Sequence, residues 1–274
     1  VRRGLHLTET AYAKINLALH VRRRREDGYH ELETLFAFVD HGDTLRAAYS
    51  PRDRVVTVGE FAPALSDPFD NIVMKALSVL PRYEGVEVTL EKNLPVAAGL
   101  GGGSADAGAV FRMVELAHGL PEDWHERATR LGADVPACVT SHMAIGRGTG
   151  TELEPVENDM AGMAVLLVNP RIPVPTGPVF KAWDGVDRGP LPSGTAHEIA
   201  KAGRNDLRDP AIAICPQIGE VLIALEATDP WMQEMSGSGA TCFALYESAE
   251  IRDKAAQKLH SDHPEWWQMK GKLR

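Results

Sequence analysis

Between Thr10 and Val21 hydrophobic and polar positions alternate. Ile15, Leu17, Leu19 and Val21 fall on one face and Lys14, Asn16 and His20 on the other, the two-residue period of a strand with a polar second face. Asp27-Gly28 is a turn signal and Leu32 to Val39 resumes as a second strand, so the pair reads as a hairpin with a long tip. Arg54 to Val58 and Val86 to Leu90 also read as strands. Between them Asn71 is placed to cap a helix running through Ile72, Ala76 and Leu80. A further helix is predicted from about Ser104, where Val110, Met113, Val114 and Ala117 make one apolar stripe. Asp123 to Leu131 gives a third, stopped by Gly132, and a short fourth begins at Asp134 with Pro136 in its first turn.

A glycine-punctuated turn at Gly146 to Gly150 and the acidic Glu152 to Asp159 precede a new apolar run at Met163 to Val168, which places a domain boundary at 160/161. The second half then gives a helical face (Ile218, Val221, Leu222, Leu225), a strand (Thr241 to Tyr246) and another helix (Ile251, Ala255, Leu259). Two long Pro/Gly-rich stretches, Asn169 to Pro178 and Asp184 to Gly194, read as loops of the kind tied more often to function than to packing.

Composition narrows the class. The formal charge of −9 removes the electrostatic footprint of a nucleic-acid binder. The basic run Arg22 to Arg25 reads as a solvated hairpin edge. No apolar stretch approaches the ~18 residues of a membrane span, and the N-terminal V-R-R-G-L-H-L-T-E-T has no apolar region behind its basic residues, so no secretory signal is expected. Val at position 1 suggests a processed, truncated or unusual start. Cys138, Cys215 and Cys242 make neither a metal clip nor an even disulfide set, which points to a reducing, cytoplasmic setting.

The densest chemical signal is P-V-A-A-G-L-G-G-G-S-A, comprising Pro95, Val96, Ala97, Ala98, Gly99, Leu100, Gly101, Gly102, Gly103, Ser104 and Ala105, set between a strand and a helix. Four glycines in five residues permit positive φ and close approach of a ligand, and the helix behind them offers unpaired N–H groups and partial positive charge. That combination cradles phosphate. It is not a Walker A loop, since no Lys follows Gly103, nor a dinucleotide fingerprint, whose third glycine would fall on Ser104.

The loop resembles the second motif of the GHMP kinases, small-molecule kinases of galactose, homoserine, mevalonate and phosphomevalonate. A-K-I-N-L at Ala13 to Leu17 and M-S-G-S-G-A-T at Met235 to Thr241 match in order, and D-G-Y-H at Asp27 to His30 with L-G-A-D-V-P at Leu131 to Pro136 is similar to those members whose acceptor carries a cytidine diphosphate group. The resemblance runs from about Ala11 to Tyr246. It implies a two-domain α+β fold, with an N-terminal domain (1–160) like ribosomal protein S5 domain 2, a ferredoxin-like C-terminal domain (161–274) and an active site in the cleft between them. It also implies ATP with Mg²⁺ as cofactors, and phosphorylation of the 2-hydroxyl of a cytidyl-diphospho-methylerythritol in non-mevalonate isoprenoid biosynthesis. Another small-molecule kinase of the family, or a non-catalytic nucleotide sensor, is the alternative.

Roles follow from the same resemblance. Asp134 is the base, although an aspartate before Pro136 is on its own grounds an N-cap. Lys14 lies against it to offset charge, although alternation alone makes it an exposed strand lysine. Asn16 belongs with Lys14 at the acceptor. Tyr29 stacks on cytosine, His30 bonds its edge and Phe180 supplies the second wall. Residues 95–105 take the nucleotide phosphates, Asn71 opens the helix beside adenine, and Ser104 is the one candidate to touch Mg²⁺. Ser236 to Ala240 makes a second glycine turn near the reacting phosphate. Asp106 is expected to stabilise its helix N-terminus, and Ala105, where relatives often carry a second Ser, leaves the metal ligands unassigned.

Overall fold

The alternating segment at the head of the chain forms a strand longer than its pattern, β1 (His6–Arg24), and the Asp27-Gly28 turn leads into β2 (His30–Ser50), with which it pairs. The structure, a computed structural model, describes residues 6–65, 67 and 70–274, so the first five residues of the stretch judged not to be a secretory signal lie outside it. Packing divides the chain into two units, one holding residues up to 13, 42–96 and 101–141, the other 14–41, 97–100 and 142–274. Both long strands contribute to each.

In the first unit β3 (Arg54–Val58) runs parallel to β4 (Gly85–Glu91), which pairs antiparallel with residues 44–50 of β2. Val86, Val88 and Leu90 alternate into the core, as the two-residue period requires. The helices are α1 (Ile72–Val79), α2 (Gly102–His118), α3 (Trp124–Leu131) and α4 (Val135–Thr140). Asn71 caps α1 as predicted, its side chain accepting from the Val73 amide at 2.9 Å. Helix α3 follows Asp123 and stops at Gly132. Asp134 precedes α4, but its carboxylate makes no cap hydrogen bond. At φ −83° and ψ −12° it already has helical backbone, whereas an N-cap needs an extended one to bring its oxygen onto the amides. Helices α2 and α4 meet at backbone contact, since a Cβ on Gly108 would lie 2.4 Å from the Cys138 carbonyl oxygen.

In the second unit Thr34–Phe36 of β2 pair with β5 (Ala144–Arg147), and β5 with β6 (Glu152–Pro155). These short strands flank the glycine-punctuated turn and the pattern does not predict them. A second sheet has the antiparallel order β10 (Trp267–Lys272), β7 (Ala164–Asn169), β9 (Cys242–Tyr246), β8 (Met232–Met235). Its helices are α5 (Thr176–Ala182), α6 (Ala196–Ala202), α7 (Arg208–Ile214), α8 (Gln217–Glu226) and α9 (Ala249–Asp262). The strands, taken in chain order, lie fourth, first, third, second, with helices after the first and third: the ferredoxin-like arrangement. Strand β7 is buried throughout, as its unbroken apolar run demands of a central strand. Leu19 and Val21 of β1 join Leu166, Val168, Ile218 and Leu259 in one core. Helix α5 begins inside the first stretch read as loop, and α6 follows the second behind a Thr195/Glu198 capping box.

The polar face of β1 is the main departure. Lys14, Asn16 and His20 are buried, not solvated. Arg22, Arg23 and Arg25 do lie at an edge, paired with Glu33 and Asp187, Glu31, and Asp27 respectively. Among the described residues no helix is long and apolar enough to cross a membrane.

Candidate active site

The glycine loop has its own backbone logic. Ala97, Gly99 and Gly101 have positive φ (52°, 77° and 59°) and the residues between them do not, the alternation from which backbone anion-binding turns are built. Helix α2 then starts at Gly102, two residues before the predicted start. The amides of Gly102, Gly103 and Ser104 have no carbonyl one turn back to receive them. The two glycines inside the helix serve space, not φ. A Cβ on Gly102 would sit 3.1 Å from Lys92 Nζ, and Gly103 is exposed, its nearest neighbour being Ile72 Cγ2 at 3.7 Å. That contact sets the loop helix beside the helix that Asn71 opens.

Beneath Gly102 lies a buried triad that no local motif announces. Lys92, the residue after β4, donates to Asp43 of β2 and, at 2.8 Å, to Asp106 of α2. Asp43 Oδ1 also accepts from the Asn93 and Leu94 amides (2.6 and 2.8 Å), which pins the segment entering the loop. Burial raises the Asp106 carboxyl to about 8, with Lys92 opposing and Asp43 adding to the shift. Burial works against the Lys92 charge, yet Asp106 and Asp43 outweigh it and hold the ammonium above its ordinary range. One ammonium among two sealed carboxyls thus favours keeping a proton on Asp106. Because α2 begins at Gly102, Asp106 lies beyond its first turn and does not serve the helix N-terminus.

The second unit joins three of the predicted motifs. Lys14 Nζ donates to Asn16 Oδ1 at 2.8 Å, and Asn16 Nδ2 donates to Thr34 Oγ1 at 2.7 Å. The Asn16 amide donates to Ser236 Oγ at 3.3 Å, and that hydroxyl donates to the Gly99 carbonyl at 2.8 Å. Lys14 N bonds the Leu100 carbonyl, and Thr241 N that of Ala98. The A-K-I-N-L strand, the start of the glycine loop and the second glycine turn are therefore one hydrogen-bonded assembly. Asn205 steadies it, giving its Nδ2 to the Met235 and Gly237 carbonyls at 2.8 Å each.

At the hairpin tip His30 packs on Phe180, ring centroids 5.0 Å apart and tilted 41°. Trp183, which the sequence pattern passes over, stands edge-on to the same imidazole at 5.9 Å. His30 Nε2 and Trp183 Nε1 are buried without a protein partner, the signature of a site that awaits polar groups from elsewhere. Burial first, then the Arg24 guanidinium, lower the His30 pKa, so the ring is neutral near pH 7 and offers one donor and one acceptor. Tyr29 is 62% exposed, its ring open to solvent.

In the first unit the Gly132–Asp134 segment adjoins the start of α2. A Cβ on Gly132 would meet Val135 Cγ2 at 3.5 Å and Ser104 Oγ at 3.8 Å. Among the described residues no three His, Cys, Asp or Glu side chains gather to hold a metal. With Asp106 committed to Lys92, Ser104 carries the one side-chain hydroxyl among residues 95–105.

Comparison with known proteins agrees with this geometry. The GHMP kinases N terminal domain matches residues 71–142 and the GHMP kinases C terminal domain matches 191–265. The chain is 73% identical to the 4-diphosphocytidyl-2-C-methyl-D-erythritol kinase of Erythrobacter litoralis over 97% of its own length and 99% of the relative's. It is 68% identical to the enzyme of that name from Novosphingobium aromaticivorans, over 99% and 94%. A crystal structure of 4-(cytidine 5'-diphospho)-2C-methyl-D-erythritol kinase superposes with a TM-score of 0.82 at 32% identity, covering 97% of this chain and 99% of the other. The chain belongs to the GHMP kinase family, together with these 4-diphosphocytidyl-2-C-methyl-D-erythritol kinases.

Proposed function

We infer that this chain transfers the γ-phosphoryl group of ATP to the 2-hydroxyl of 4-diphosphocytidyl-2-C-methyl-D-erythritol, a step of non-mevalonate isoprenoid precursor biosynthesis. The observation that carries this reading is 73% identity, over nearly the whole of both chains, to a kinase of that name. The family matches at 71–142 and 191–265 fall either side of the boundary we place at 160/161. We assign the reaction to the cytoplasm, a setting that suits three buried free cysteines.

Phosphoryl transfer asks the protein for position and charge more than for covalent chemistry. Residues 95–105 receive the triphosphate on the amides of the loop and the first turn of α2, and Asn71 opens the helix beside the base of ATP. Mg²⁺, when bound, neutralises charge on the phosphate oxygens, and Ser104 is the side chain we assign to it. Asp134 takes the proton of the 2-hydroxyl as its oxygen bonds to the γ-phosphorus and ADP leaves. Lys14 offsets the charge that develops, and Asn16 orders Lys14 and the acceptor. Tyr29 stacks on cytosine, the neutral His30 ring bonds its edge, and Phe180 closes the other side.

The test is a coupled ADP-release assay across 4-diphosphocytidyl-2-C-methyl-D-erythritol, mevalonate, homoserine and galactose. Turnover of the cytidyl acceptor alone is expected. Preferred turnover of another acceptor overturns the substrate assignment, and ADP release with none of them makes the chain a nucleotide sensor.

A further inference from the structure

Asn16 is flanked by two hydroxyl groups whose bonds leave no choice of direction. Thr34 Oγ1 lies 2.7 Å from the Ala18 carbonyl, which can only accept, so the single hydroxyl proton points there. The same oxygen lies 2.7 Å from the Asn16 side-chain amide and, with no second proton, must accept from it. The nitrogen end of that amide therefore faces Thr34, and Oδ1 faces the Lys14 ammonium at 2.8 Å. Reversed, the amide would set NH₂ against NH₃⁺, donor on donor. Lys14, Asn16 and Thr34 are 3%, 2% and 1% exposed, so solvent does not relieve the mismatch. Ser236 repeats the device on the backbone, donating to the Gly99 carbonyl and accepting the Asn16 N–H.

We propose that Thr34 is a positioning residue for phosphoryl transfer: by fixing which end of the Asn16 amide meets Lys14, its hydroxyl holds the ammonium in place at the reacting centre. The proposal rests on the assignment of Lys14 to the reaction. The hydroxyl is not needed for the strand. Thr34 sits opposite Gly146 in the β2–β5 ladder, which backbone groups make, and valine has the same shape and as strong a strand preference. Valine at this position keeps volume and pairing while removing the acceptor that holds the nitrogen end of the amide.

The experiment compares Thr34→Val, Thr34→Ser, Asn16→Ala and the Thr34→Val/Asn16→Ala pair, each with a melting curve and with kcat and the KM for ATP. Thr34→Val is expected to lower kcat about tenfold to a hundredfold, the range of one orphaned buried hydrogen-bonding group, with the KM for ATP within about twofold of the parent. The serine variant keeps the hydroxyl and is expected to recover kcat to within about threefold. In the Asn16→Ala background the valine is expected to cost nothing further, because its effect runs through Asn16. A kcat unchanged in Thr34→Val, an additive loss in the pair, or a serine variant as slow as the valine overturns the proposal. Where Thr34→Val melts below the assay temperature, Thr34→Ala replaces it with the same expected outcome. Lys14→Met separates the two levels: full turnover there removes the role of Lys14 itself, whereas an inactive Lys14→Met beside a fully active Thr34→Val removes only Thr34.

Discussion

Gly99→Ala is the sharpest test of the loop. A Cβ at this position would stand 2.2 Å from the Ser236 carbonyl oxygen and 3.0 Å from the Gly239 nitrogen and oxygen, on a backbone with φ +77°. The left-handed conformation costs an L-residue about 1–2 kcal/mol. The carbonyl must also withdraw by roughly 1 Å to reach ordinary van der Waals separation. That movement pulls on two bonds, Ser236 Oγ to Gly99 O at 2.8 Å and Thr241 N to Ala98 O at 3.1 Å, each worth about 1 kcal/mol. The sum is roughly 3–4 kcal/mol, or two to three orders of magnitude in the population of the correct loop. We expect kcat/KM for ATP to fall about a hundredfold. Gly103→Ala is the internal control, because its Cβ meets only Ile72 Cγ2 at 3.7 Å and a helical Gly→Ala change favours the fold by up to about 1 kcal/mol. Its melting temperature should hold or rise while the KM for ATP increases, since the added methyl occupies the ligand side. Gly99→Ala with kcat/KM within threefold of the parent and an unchanged melting temperature would refute the loop's role.

Asp134→Asn should lower kcat by about two or more orders of magnitude while leaving the KM for ATP nearly unchanged, measured by steady-state ADP release; retained turnover would return Asp134 to a structural role. Tyr29→Ala should raise the KM for the cytidyl acceptor about tenfold to a hundredfold, from a stacking contribution of about 1–3 kcal/mol, with ATP unaffected, and equal loss for both substrates would count against the cytosine assignment. The Asp106 carboxyl, raised from 3.8 to about 8, keeps a proton in the folded protein that the unfolded chain has already lost. Its contribution to stability therefore falls as pH rises from about 4 to about 8, by at most about 1.4 kcal/mol per pH unit. Denaturant titrations of Asp106→Asn should show a flatter dependence across that window, and parallel slopes would place the proton elsewhere.

What the sequence disclosed was what is local. Strand β4, helix α8 and the Asn71 cap lie where period and capping chemistry place them. Alternation identified β1 but not the fate of its polar face, because polarity does not say whether a side chain is satisfied by water or, as with Lys14 and Asn16, by an interior network. Strand β10, W-Q-M-K-G-K, alternates only weakly, Trp267 and Met269 against Gln268, Lys270 and Lys272 with a glycine completing the apolar face, and it pairs along the edge that β7 offers. The Thr195/Glu198 box of α6 was legible but sat at the end of a Pro/Gly-rich stretch. Lys92, Asp43 and Asp106 come from three separate elements, and no spacing rule joins them. Trp183 and Thr34 gain their meaning only from the partners that the fold supplies.

The two compact units are not successive pieces of the gene, for the chain passes between them at 13/14, 41/42, 96/97, 100/101 and 141/142. A polypeptide ending at residue 141 has Thr34–Phe36 but not the Ala144–Gly146 segment they pair with, and one beginning at 142 lacks Leu19 and Val21 from its core. Asn16 and the Ser236 hydroxyl that accepts its backbone N–H are 220 residues apart, so a growing chain makes the strand long before its partner. The second unit therefore closes only when segments from both sides of residue 141 are present, which makes the chain a poor subject for splitting there.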